Sequence, residues 1–544
     1  MRIYFYGAAK FVTGSNHLIE TKNGEKFLLD MGLFQGSKQQ EEMNFMDLPY
    51  DPSEIDFLLL SHAHIDHSGR IPKLVKEGFR GKIYCTPATR GLAEIMLKDS
   101  AHIQESDAEW ENKKRERKGL AAIEALYTED DVEAAMNLFD THYYGEVFDV
   151  SPNIKVRFKD AGHILGSAIV EIWIKEDDST AKLVFTGDLG VKGHTLIREP
   201  DFIEEADYLI MESTYGNSVH SKYSDSLEGL MQTIEDVTSD GGTVIIPSFA
   251  VGRTQEIIYE LNKQYESKHG GAKNPIPFYV DSPLAVNATK VFMQNTSILH
   301  DEAQALIRKG DNIFEFPNLY YTKTIEESKE LNANTSPKVI ISASGMATGG
   351  RVVHHLKHNL WNPKNAVIFV GYQAQGTAGH IIKSGVESVK LAGEWIANKA
   401  QVYDMPGFSA HADKDYLMYW LGGYKRKPKR IFLVHGETDE MYPLKNLIES
   451  DLGISVDVPG LNSYVDLDFA HLENVNIFNS AEELRLREEE KLESKLYQVQ
   501  LILDDLAKRD VNIGDLDAEK RAALFINLNE IEASLMDFNM ISGK

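Results

Sequence analysis

Three histidines and an aspartate stand within six residues in the stretch SHAHIDHSGR, which follows the apolar run FLLL. His62 and His64 leave the end of an expected strand two residues apart, so both imidazoles point to the same side. Asp66 and His67 follow in the turn, where the backbone can direct them toward a second point nearby. Two sets of ligand atoms from one loop are typical of a site that holds two metal ions.

Further ligands for such a site are expected at other strand ends. His163 in DAGHILGSA and Asp188 in VFTGDLG each end an apolar strand beside glycine, which permits close approach of the backbone. His435 in IFLVHGE does the same late in the chain, and a carboxylate such as Asp188 can bridge two cations. Because Cys85 is the single cysteine, histidine and carboxylate rather than thiolate are expected to hold any metal.

Length, charge and cysteine content restrict the class of protein. The chain has 544 residues, which is too long for one ordinary core and suggests several domains. A single cysteine excludes an internal disulfide framework, and together with the lack of a secretory signal it predicts a cytoplasmic protein. The formal net charge of -26 argues against general affinity for phosphate backbones. A nuclease is still allowed, because bound divalent cations supply a local positive field.

The elements that position these side chains change in character along the chain. Short apolar strands up to about residue 200 predict stacked sheets with covering helices. Alternating strands and helices from about 215 to 395 predict a parallel sheet, and the first pattern then returns, as an inserted domain would produce. Leucines spaced by four and three residues in the tail predict a hairpin of two amphipathic helices. The predicted boundaries are 1–210 and 396–475 for the host domain, 211–395 for the insertion and 480–544 for the helical extension.

The order of the motifs resembles a known family. HxHxDH, with LLDMG upstream and GH and TGD downstream, resembles the metallo-β-lactamase superfamily. MEST, PSFAVGRTQE, SASGM, GTAGHI, FSAHAD and LVHGE resemble the β-CASP nucleases, and are most similar to the cleavage subunit of the polyadenylation specificity factor and its prokaryotic relatives. The resemblance covers about residues 1 to 470. It implies an α/β fold, in which an αββα metallo-β-lactamase sandwich carries an inserted β-CASP domain with a parallel sheet flanked by helices.

The resemblance also implies a role for each site residue. One zinc ion is expected on His62, His64 and His163, a second on Asp66, His67 and His435, with Asp188 bridging the two. Asp30 in LLDMG matches the aspartate that orients the histidine loop. The residues expected to take part in catalysis are Asp66, Asp188, Glu212 and His411. Two zinc ions sharing one water would give a hydroxide near neutral pH, and a His411 kept cationic by Glu212 could protonate the departing oxygen.

Two glycine-containing turns are candidates for contact with the substrate. The turn SASGMATGGR has N–H groups that could bind phosphate and includes Ser344, Gly345 and Arg351. Arg253 in VGRTQE similarly begins a helix. For both turns, packing is as good an explanation of the residues as phosphate binding.

These observations predict a zinc-dependent ribonuclease that hydrolyses single-stranded RNA by a two-metal hydroxide mechanism. Endonucleolytic cleavage is favoured, and 5′ exonuclease activity stays open. A DNA nuclease of the same family is the nearest alternative, although such members typically carry valine at the position of His435. A small-molecule hydrolase would lack the insertion with Glu212 and His411, and a non-catalytic scaffold would have lost ligands. The expected partners are single-stranded RNA and a second copy of the chain, bound through the C-terminal helices. No contact with a membrane is expected.

Overall fold

The computed structural model describes residues 1–269, 276–371, 373, 376–467 and 469. The helical hairpin predicted over residues 480–544 lies outside the described residues. Within them, no helix is both long enough and apolar enough to cross a membrane.

The strands of the described part are short. In chain order they are β1 Arg2–Phe5, β2 His17–Glu20, β3 Lys26–Leu29, β4 Phe57–Leu59, β5 Lys82–Cys85, β6 Phe139–Thr141, β7 Val147–Ser151, β8 Ile154–Asp160, β9 Ala168–Glu176, β10 Ser179–Phe185, β11 Tyr208–Glu212, β12 Thr243–Pro247, β13 Phe278–Asp281, β14 Leu319–Tyr321, β15 Lys338–Ser342, β16 Ala366–Phe369, β17 Ser388–Leu391, β18 Glu394–Ala397, β19 Gln401–Asp404, β20 Arg430–Val434, β21 Ser455–Asp457 and β22 Ser463–Asp466.

Helices lie between these strands. In chain order they are α1 Lys38–Glu42, α2 Ile65–Ser68, α3 Ile71–Lys76, α4 Pro87–Arg117, α5 Glu129–Met136, α6 Tyr223–Ser239, α7 Arg253–His269, α8 Pro283–Gln294, α9 Asp301–Arg308, α10 Ile325–Ala333, α11 Arg351–Asn359, α12 Ala378–Lys383, α13 Lys414–Gly422 and α14 Thr438–Leu452. Several begin with a side-chain cap: the Thr86 side chain accepts from the backbone N–H of Thr89 at the start of α4, and Asp413 accepts from that of Tyr416 at the start of α13.

Two seven-stranded sheets form the host domain. The first has the order β22-β1-β2-β3-β4-β5-β6 and the second the order β21-β20-β11-β10-β9-β8-β7. In each sheet one half is antiparallel and the other half is parallel. The two sheets face each other through a shared core that includes Phe5 and Leu59 from the first sheet and Phe185 and Phe432 from the second. Because alternate side chains of a strand point to opposite faces, the outer faces bury their own apolar residues beneath helices.

The third sheet has the order β14-β13-β15-β12-β16-β19, and all of its strand pairs are parallel. Its central strands β12 and β15 are buried along their whole length, as expected for a sheet covered by helices on both faces. Its strands lie in the sequence between β11 and β20, which are hydrogen-bonded neighbours in the second sheet. The fold is therefore an αββα sandwich with an inserted parallel domain, and the predicted fold class is confirmed for the described residues.

Candidate metal centre and active site

The polar residues of the candidate site follow the carboxyl ends of strands from both sheets of the sandwich. His62 and His64 come after β4, and the short helix α2 carries Asp66 and His67. The strands β8, β10, β11 and β20 run in the same direction in the second sheet, so their carboxyl ends meet at one edge. The residues that lie at or just after these four ends are His163, Asp188, Glu212 and His435. The fold thus collects residues that are up to 373 positions apart in the sequence.

The first group of ligand atoms surrounds His64. Its Nδ1 lies 3.2 Å from Nε2 of His62 and 3.0 Å from Nε2 of His163. One carboxylate oxygen of Asp188 lies 3.4 Å from Nε2 of His62 and 3.5 Å from Nε2 of His163. Together these four residues offer ligand atoms that all lie within 4.8 Å of one another, which is the spacing expected around a single cation.

The second group lies on the other side of Asp188. The Nε2 atoms of His67 and His435 are 3.1 Å apart, and Oδ2 of Asp66 lies 3.5 Å from the same atom of His435. Asp188 joins the two groups, because its Oδ2 is 3.3 Å from Nε2 of His67 while its Oδ1 is 3.6 Å from Nδ1 of His435. A carboxylate placed between two sets of imidazoles can bridge two cations.

Hydrogen bonds fix which nitrogen of His62, His67 and His163 faces the centre. Nδ1 of His67 donates to Asp30 at 2.6 Å, and Nδ1 of His163 donates to the carbonyl oxygen of Ala410 at 3.1 Å. Nδ1 of His62 lies 3.1 Å from the hydroxyl of Ser61, which itself donates to Asp30. Because a neutral imidazole carries one proton, a donating Nδ1 leaves the lone pair on Nε2, and these lone pairs point at one another.

This arrangement fits a metal ion. Opposed lone pairs 3.0–3.2 Å apart repel unless a cation or a proton lies between them. Oδ1 of Asp188 is buried and receives no hydrogen bond from any described residue, which is costly for a carboxylate oxygen. The donor set is imidazole nitrogen and carboxylate oxygen without thiolate, which suits zinc.

Burial and charge separate the histidines into two kinds. Burial lowers the pKa of His62 and His163 well below the ordinary value and lowers that of His64 to about 4, so these imidazoles are neutral, as ligation requires. Burial acts in the same direction on His67, but the carboxylates of Asp188 and Asp30 outweigh it and raise its pKa well above the ordinary value. Without a cation at the centre His67 is therefore protonated on both ring nitrogens, and a bound metal ion would replace the proton on its Nε2.

Asp30 holds the histidine loop in place. Its carboxylate is fully buried and accepts from the backbone N–H of Ser61 at 2.8 Å, from the hydroxyls of Ser61 and Ser15, and from Nδ1 of His67. Its backbone has a φ of 59°, a left-handed conformation that few non-glycine residues adopt. One carboxylate thus orients both ends of the loop that begins at Ser61, as an outer partner of metal-binding histidines does.

His435 is held by Thr214, a residue that the sequence did not single out. The hydroxyl of Thr214 lies 3.0 Å from Nδ1 of His435 and donates to the His435 carbonyl oxygen at 3.2 Å. Because the Thr214 hydroxyl donates its proton to the carbonyl, its oxygen accepts from Nδ1 of His435. The lone pair of His435 is then on Nε2, which faces His67. The backbone of His435 also has a positive φ, of 50°. Strain of this kind is tolerated at functional sites because the surrounding structure fixes it.

Glu212 and His411 lie beside the same centre. Glu212 is fully buried at the end of β11 and accepts from the backbone N–H of Leu189 at 2.6 Å. Its Oε1 is 3.4 Å from Nδ1 of His411, and that nitrogen is 3.9 Å from Oδ2 of Asp188. Burial lowers the pKa of His411, but the Glu212 carboxylate outweighs this and raises it to about 9. A cationic imidazole therefore stands next to the bridging carboxylate.

The predicted substrate turn of the inserted domain is occupied by internal hydrogen bonds. The Ser344 hydroxyl accepts from the backbone N–H groups of Thr348 and Gly349. Gly345 lies so close to Phe249 that an added Cβ would come within 2.8 Å of its ring. The Arg351 guanidinium donates to Asp281 at 2.6 Å. Contact of this turn with phosphate stays a prediction.

Arg253 lies at the junction between the sandwich and the insertion. It is 7% exposed, and its guanidinium donates to Glu256 one turn along α7 and lies over the ring of Phe408. Glu256 in turn lies 2.9 Å from Nδ1 of His194, in the segment after Asp188. This geometry favours a role in joining the two domains over contact with a phosphate.

Sequence reasoning missed the groups that orient the ligands. Thr214, Ser61 and the Ala410 carbonyl all lie within two residues of a predicted site residue, so their position was the available signal. His17 gave no such signal. It is fully buried between the rings of Phe5 and Phe185, both ring nitrogens lack a partner among the described residues, and burial lowers its pKa to about 3.

Comparison with known families assigns three parts of the chain. Residues 10–135 match the metallo-beta-lactamase superfamily, residues 254–382 match the Beta-Casp domain, and residues 395–459 match the Zn-dependent metallo-hydrolase RNA specificity domain. The third match contains His411 and His435, and the first contains Asp30 and the histidine loop.

Curated relatives extend over most of the chain. Ribonuclease TTHA0252 of Thermus thermophilus is 37% identical over 448 residues, which are 82% of this chain and 96% of the relative. The transcription termination factor FttA of Methanocaldococcus jannaschii is 33% identical over 80% of this chain and 67% of its own length. FttA of Pyrococcus horikoshii is 32% identical over 74% of this chain and 60% of its own length.

Proposed function

The chain belongs to the β-CASP family of the metallo-β-lactamase superfamily of metal-dependent hydrolases, and we propose that it is a zinc-dependent ribonuclease acting on single-stranded RNA. One observation carries the proposal. Two sets of imidazole lone pairs meet on either side of a buried carboxylate whose second oxygen has no donor among the described residues. Such a centre binds cations, and its Glu212–His411 neighbour adds an acid to it.

Two zinc ions fit the donor set. His62, His64 and His163 would hold one, Asp66, His67 and His435 would hold the other, and Asp188 would bridge. When bound, such ions lower the pKa of a shared water and neutralise negative charge on a phosphodiester. The count of two rests on the two groups that hold the histidine loop; a third, overlapping group of Asp188, Glu212, His411 and His435 shares two residues with them, and its Glu212–His411 pair is assigned to proton transfer in this proposal.

The residues around the metals have separate tasks in this proposal. Asp30 acts on His67 directly and on His62 through Ser61, and Thr214 acts on His435; each contact favours the tautomer that offers Nε2 to the centre. These contacts lie behind the ligands and touch no substrate. Their contribution is therefore to affinity for metal and to the orientation of the ligand set.

His411 is proposed to supply the proton that a departing ribose oxygen needs. Its Nδ1 faces Glu212, so the other ring nitrogen, Nε2, is the one that can reach the substrate. The Glu212 carboxylate keeps the ring cationic, and the backbone N–H of Leu189 holds that carboxylate in place. General acids of this kind contribute about 10²- to 10⁴-fold to the rate.

RNA is favoured over DNA and over small molecules by the comparisons. A match to an RNA specificity domain spans residues 395–459, and a relative named as a ribonuclease is covered over 96% of its length. His435 occupies the position where DNA-cleaving members typically have valine. We propose internal cleavage as the main activity, with 5′ exonuclease activity as the second candidate.

We also propose a domain assignment and an assembly. The boundary predicted at 396 lies next to the start of the RNA specificity match at 395, while the pairing of β19, Gln401–Asp404, with β16 of the third sheet supports a return to the sandwich a few residues later. The remaining boundaries, a homodimer through the C-terminal residues and a cytoplasmic location stay predictions.

The test is cleavage of matched single strands. The zinc-loaded chain is incubated with a 5′-labelled RNA and with a DNA of the same sequence, and the products are resolved by length. The proposal expects internal RNA fragments and an intact DNA strand. Release of labelled mononucleotide would change the mode to 5′ exonuclease, and preferential cleavage of DNA, or turnover of thioesters without cleavage of either strand, would overturn the assignment.

A further inference from the structure

A cavity of about 340 Å³ is lined by segments that follow Asp188 and Glu212 in the sequence and that flank His411. None of its lining residues belongs to the ligand set or to the Glu212–His411 pair. The lining residues that bear on its chemistry are Lys192, His194, His220, Lys222, Tyr416 and Tyr419.

The walls of the cavity are direct continuations of the site. Lys192 and His194 lie four and six residues after Asp188, and Tyr416 lies five residues after His411. His220 links the two spaces, because its Nε2 donates to the carbonyl oxygen of His411 at 3.0 Å. The cavity therefore shares its walls with the segments that carry Asp188 and His411, and one hydrogen bond joins its lining to the backbone of His411.

Two polar groups of the lining residues have no hydrogen-bond partner in the described part of the chain. Tyr416 is 8% exposed, and its buried hydroxyl makes no hydrogen bond to any described residue. His194 uses Nδ1 toward Glu256, while its buried Nε2 has no partner within the described part of the chain. Buried polar groups are normally satisfied, so a cavity that collects two unsatisfied ones is suited to a ligand that supplies the missing partners.

Charged side chains and an exposed aromatic ring at the mouth of the cavity indicate which class of ligand can bind there. Lys192 and Lys222 are exposed, and the Lys192 ammonium lies 5.7 Å from the ring of Tyr419, which is 55% exposed. The carboxylate of Asp413 already accepts from the backbone N–H groups of Tyr416 and His220. Asp415 is the exposed carboxylate of the lining, and it can accept from an exocyclic amine.

We propose that this cavity is a nucleotide subsite that holds a base of the RNA strand beside the phosphate to be cut. The base stacks on Tyr419, its polar edge meets the Tyr416 hydroxyl and Nε2 of His194, and the adjoining phosphates contact Lys192 and Lys222. The inference rests on the proposed function and gives it a source of base preference. Single strands are commonly bound by aromatic rings on which bases stack, together with cations that contact the backbone. The net charge of -26 argues against general affinity for phosphate backbones, so local contacts of this kind matter more in this chain.

A substrate scan tests the stacking contact in the zinc-loaded full chain. The substrates are 5′-labelled single-stranded RNAs of one sequence, each with one abasic nucleotide at a different distance from the cleavage point. We expect kcat/KM to fall about 10-fold at one position beside the cut. Tyr419→Ala should lower kcat/KM on intact RNA by a similar factor and should remove the penalty at that one position.

The matched control is Tyr464→Ala, an exposed tyrosine on the edge strand β22, which should behave as the parent chain in the scan. Additive effects of the abasic nucleotide and Tyr419→Ala would overturn the inference, as would unchanged kcat/KM in Tyr419→Ala. A parent chain that cleaves RNA but shows no sensitive position overturns the subsite alone. A parent chain that cleaves no RNA overturns the proposed function, and the subsite with it.

Salt dependence and base preference test the remaining contacts. Lys192→Ala with Lys222→Ala should reduce the slope of log affinity against log salt by about 1.4, since each phosphate contact to a single strand contributes about 0.7. Lys425→Ala with Lys427→Ala removes the same charge on the opposite end of β20 and should leave the slope unchanged. Tyr416→Phe should fold normally and reduce the preference for one base beside the cleavage point. An unchanged base preference in Tyr416→Phe, together with an unchanged salt slope in Lys192→Ala with Lys222→Ala, would contradict the subsite.

Discussion

Two buried aspartates, each at or just beyond the end of a strand, show what separates a structural network from a binding site. Asp281 ends β13 in the third sheet, and each of its oxygens accepts two hydrogen bonds. The four donors are Thr322, Arg351, Ser328 and His355, at 2.5–2.6 Å. Asp188 follows β10 in the second sheet and faces imidazole nitrogens at 3.3–3.6 Å, and one of its oxygens has no donor among the residues that the structure describes.

The difference lies in what completes each cluster. The network of Asp281 is closed by the protein itself, so it needs no ligand and can hold the inserted domain together. In the cluster around Asp188 the imidazole lone pairs face one another, and this cluster is completed by cations from outside the protein. Burial and residue type are alike in the two places, so only the hydrogen-bond partners distinguish them.

The largest expected effect is that of Asp188→Asn. The change keeps the shape but removes the charge that would bridge two cations, so RNA cleavage should fall by at least about 10³-fold, more than loss of one charge-stabilising donor costs. The measurement is single-turnover cleavage, with zinc content and circular dichroism on the same sample. Cleavage at the parent rate with the fold intact would contradict the role given to Asp188.

His411→Ala should lower the cleavage rate by about 10²- to 10⁴-fold, because it removes the proposed acid. Zinc content should not change, since His411 belongs to neither proposed ligand set. A departing sulfur needs no proton from the protein, so an RNA that carries sulfur at the bridging position that departs does not depend on the acid. Two RNAs are therefore compared, one with sulfur at the 3′ bridging position and one with sulfur at the 5′ bridging position. One of them should be cleaved at similar rates by the variant and the parent; an equal defect on both would contradict the acid role of His411.

Asp281→Ala should act on stability rather than on chemistry. It leaves the His355 ring and the Arg351 guanidinium without their buried partner, which costs about 3–5 kcal/mol. Thermal and denaturant unfolding of the metal-free chain measure this, and Asp149→Ala, an exposed aspartate paired with Lys155, is the control with an expected change of about 0–1 kcal/mol. If the free energy of unfolding falls no further in Asp281→Ala than in the control, the network contributes little to stability.

The same aspartate gives the third sheet a dependence on acid. Burial raises the pKa of Asp281, but the hydrogen bonds from His355, Ser328 and Thr322 outweigh it and hold the pKa well below its ordinary range. Because the folded pKa is the lower one, its stabilising effect is present above the unfolded value of about 3.9 and is lost as the pH falls further. The stability gap between the parent chain and Asp281→Asn should therefore shrink below about pH 4; a constant gap would contradict this.

The smallest expected effect is that of Thr214→Val, which removes the hydroxyl behind His435 and keeps the shape. Outer partners of metal-binding histidines contribute about 10- to 100-fold, so zinc affinity or cleavage should fall by about that much. Competition with a chelator gives the affinity, and Ser218→Ala is a control hydroxyl that bonds Glu440 instead. Unchanged zinc affinity and cleavage in Thr214→Val would show that His435 is oriented by other contacts.

The sequence was sufficient for the fold class and for predicting which residues cluster at the candidate metal centre, and the reason is local. HxHxDH places four ligand candidates in one loop, and glycine next to His163, Asp188 and His435 marks strand ends. The residue type and the position at a strand end therefore both indicate the same site. Arg253 and Arg351 were ambiguous, because whether a guanidinium is free depends on Glu256 and Asp281, and the Arg351–Asp281 pair is 70 residues apart in the chain. The cavity beside the site could not be predicted, because it is formed where loops from three parts of the chain meet.

Zinc content measured together with activity tests the central claim most directly. The chain is purified without added metal, its zinc per chain is determined, and RNA cleavage is followed as a chelator removes the metal and as zinc is returned. About two zinc ions per chain, with cleavage lost and regained in step with them, is the predicted result. A chain that holds no metal and still cleaves RNA at the full rate would contradict the account.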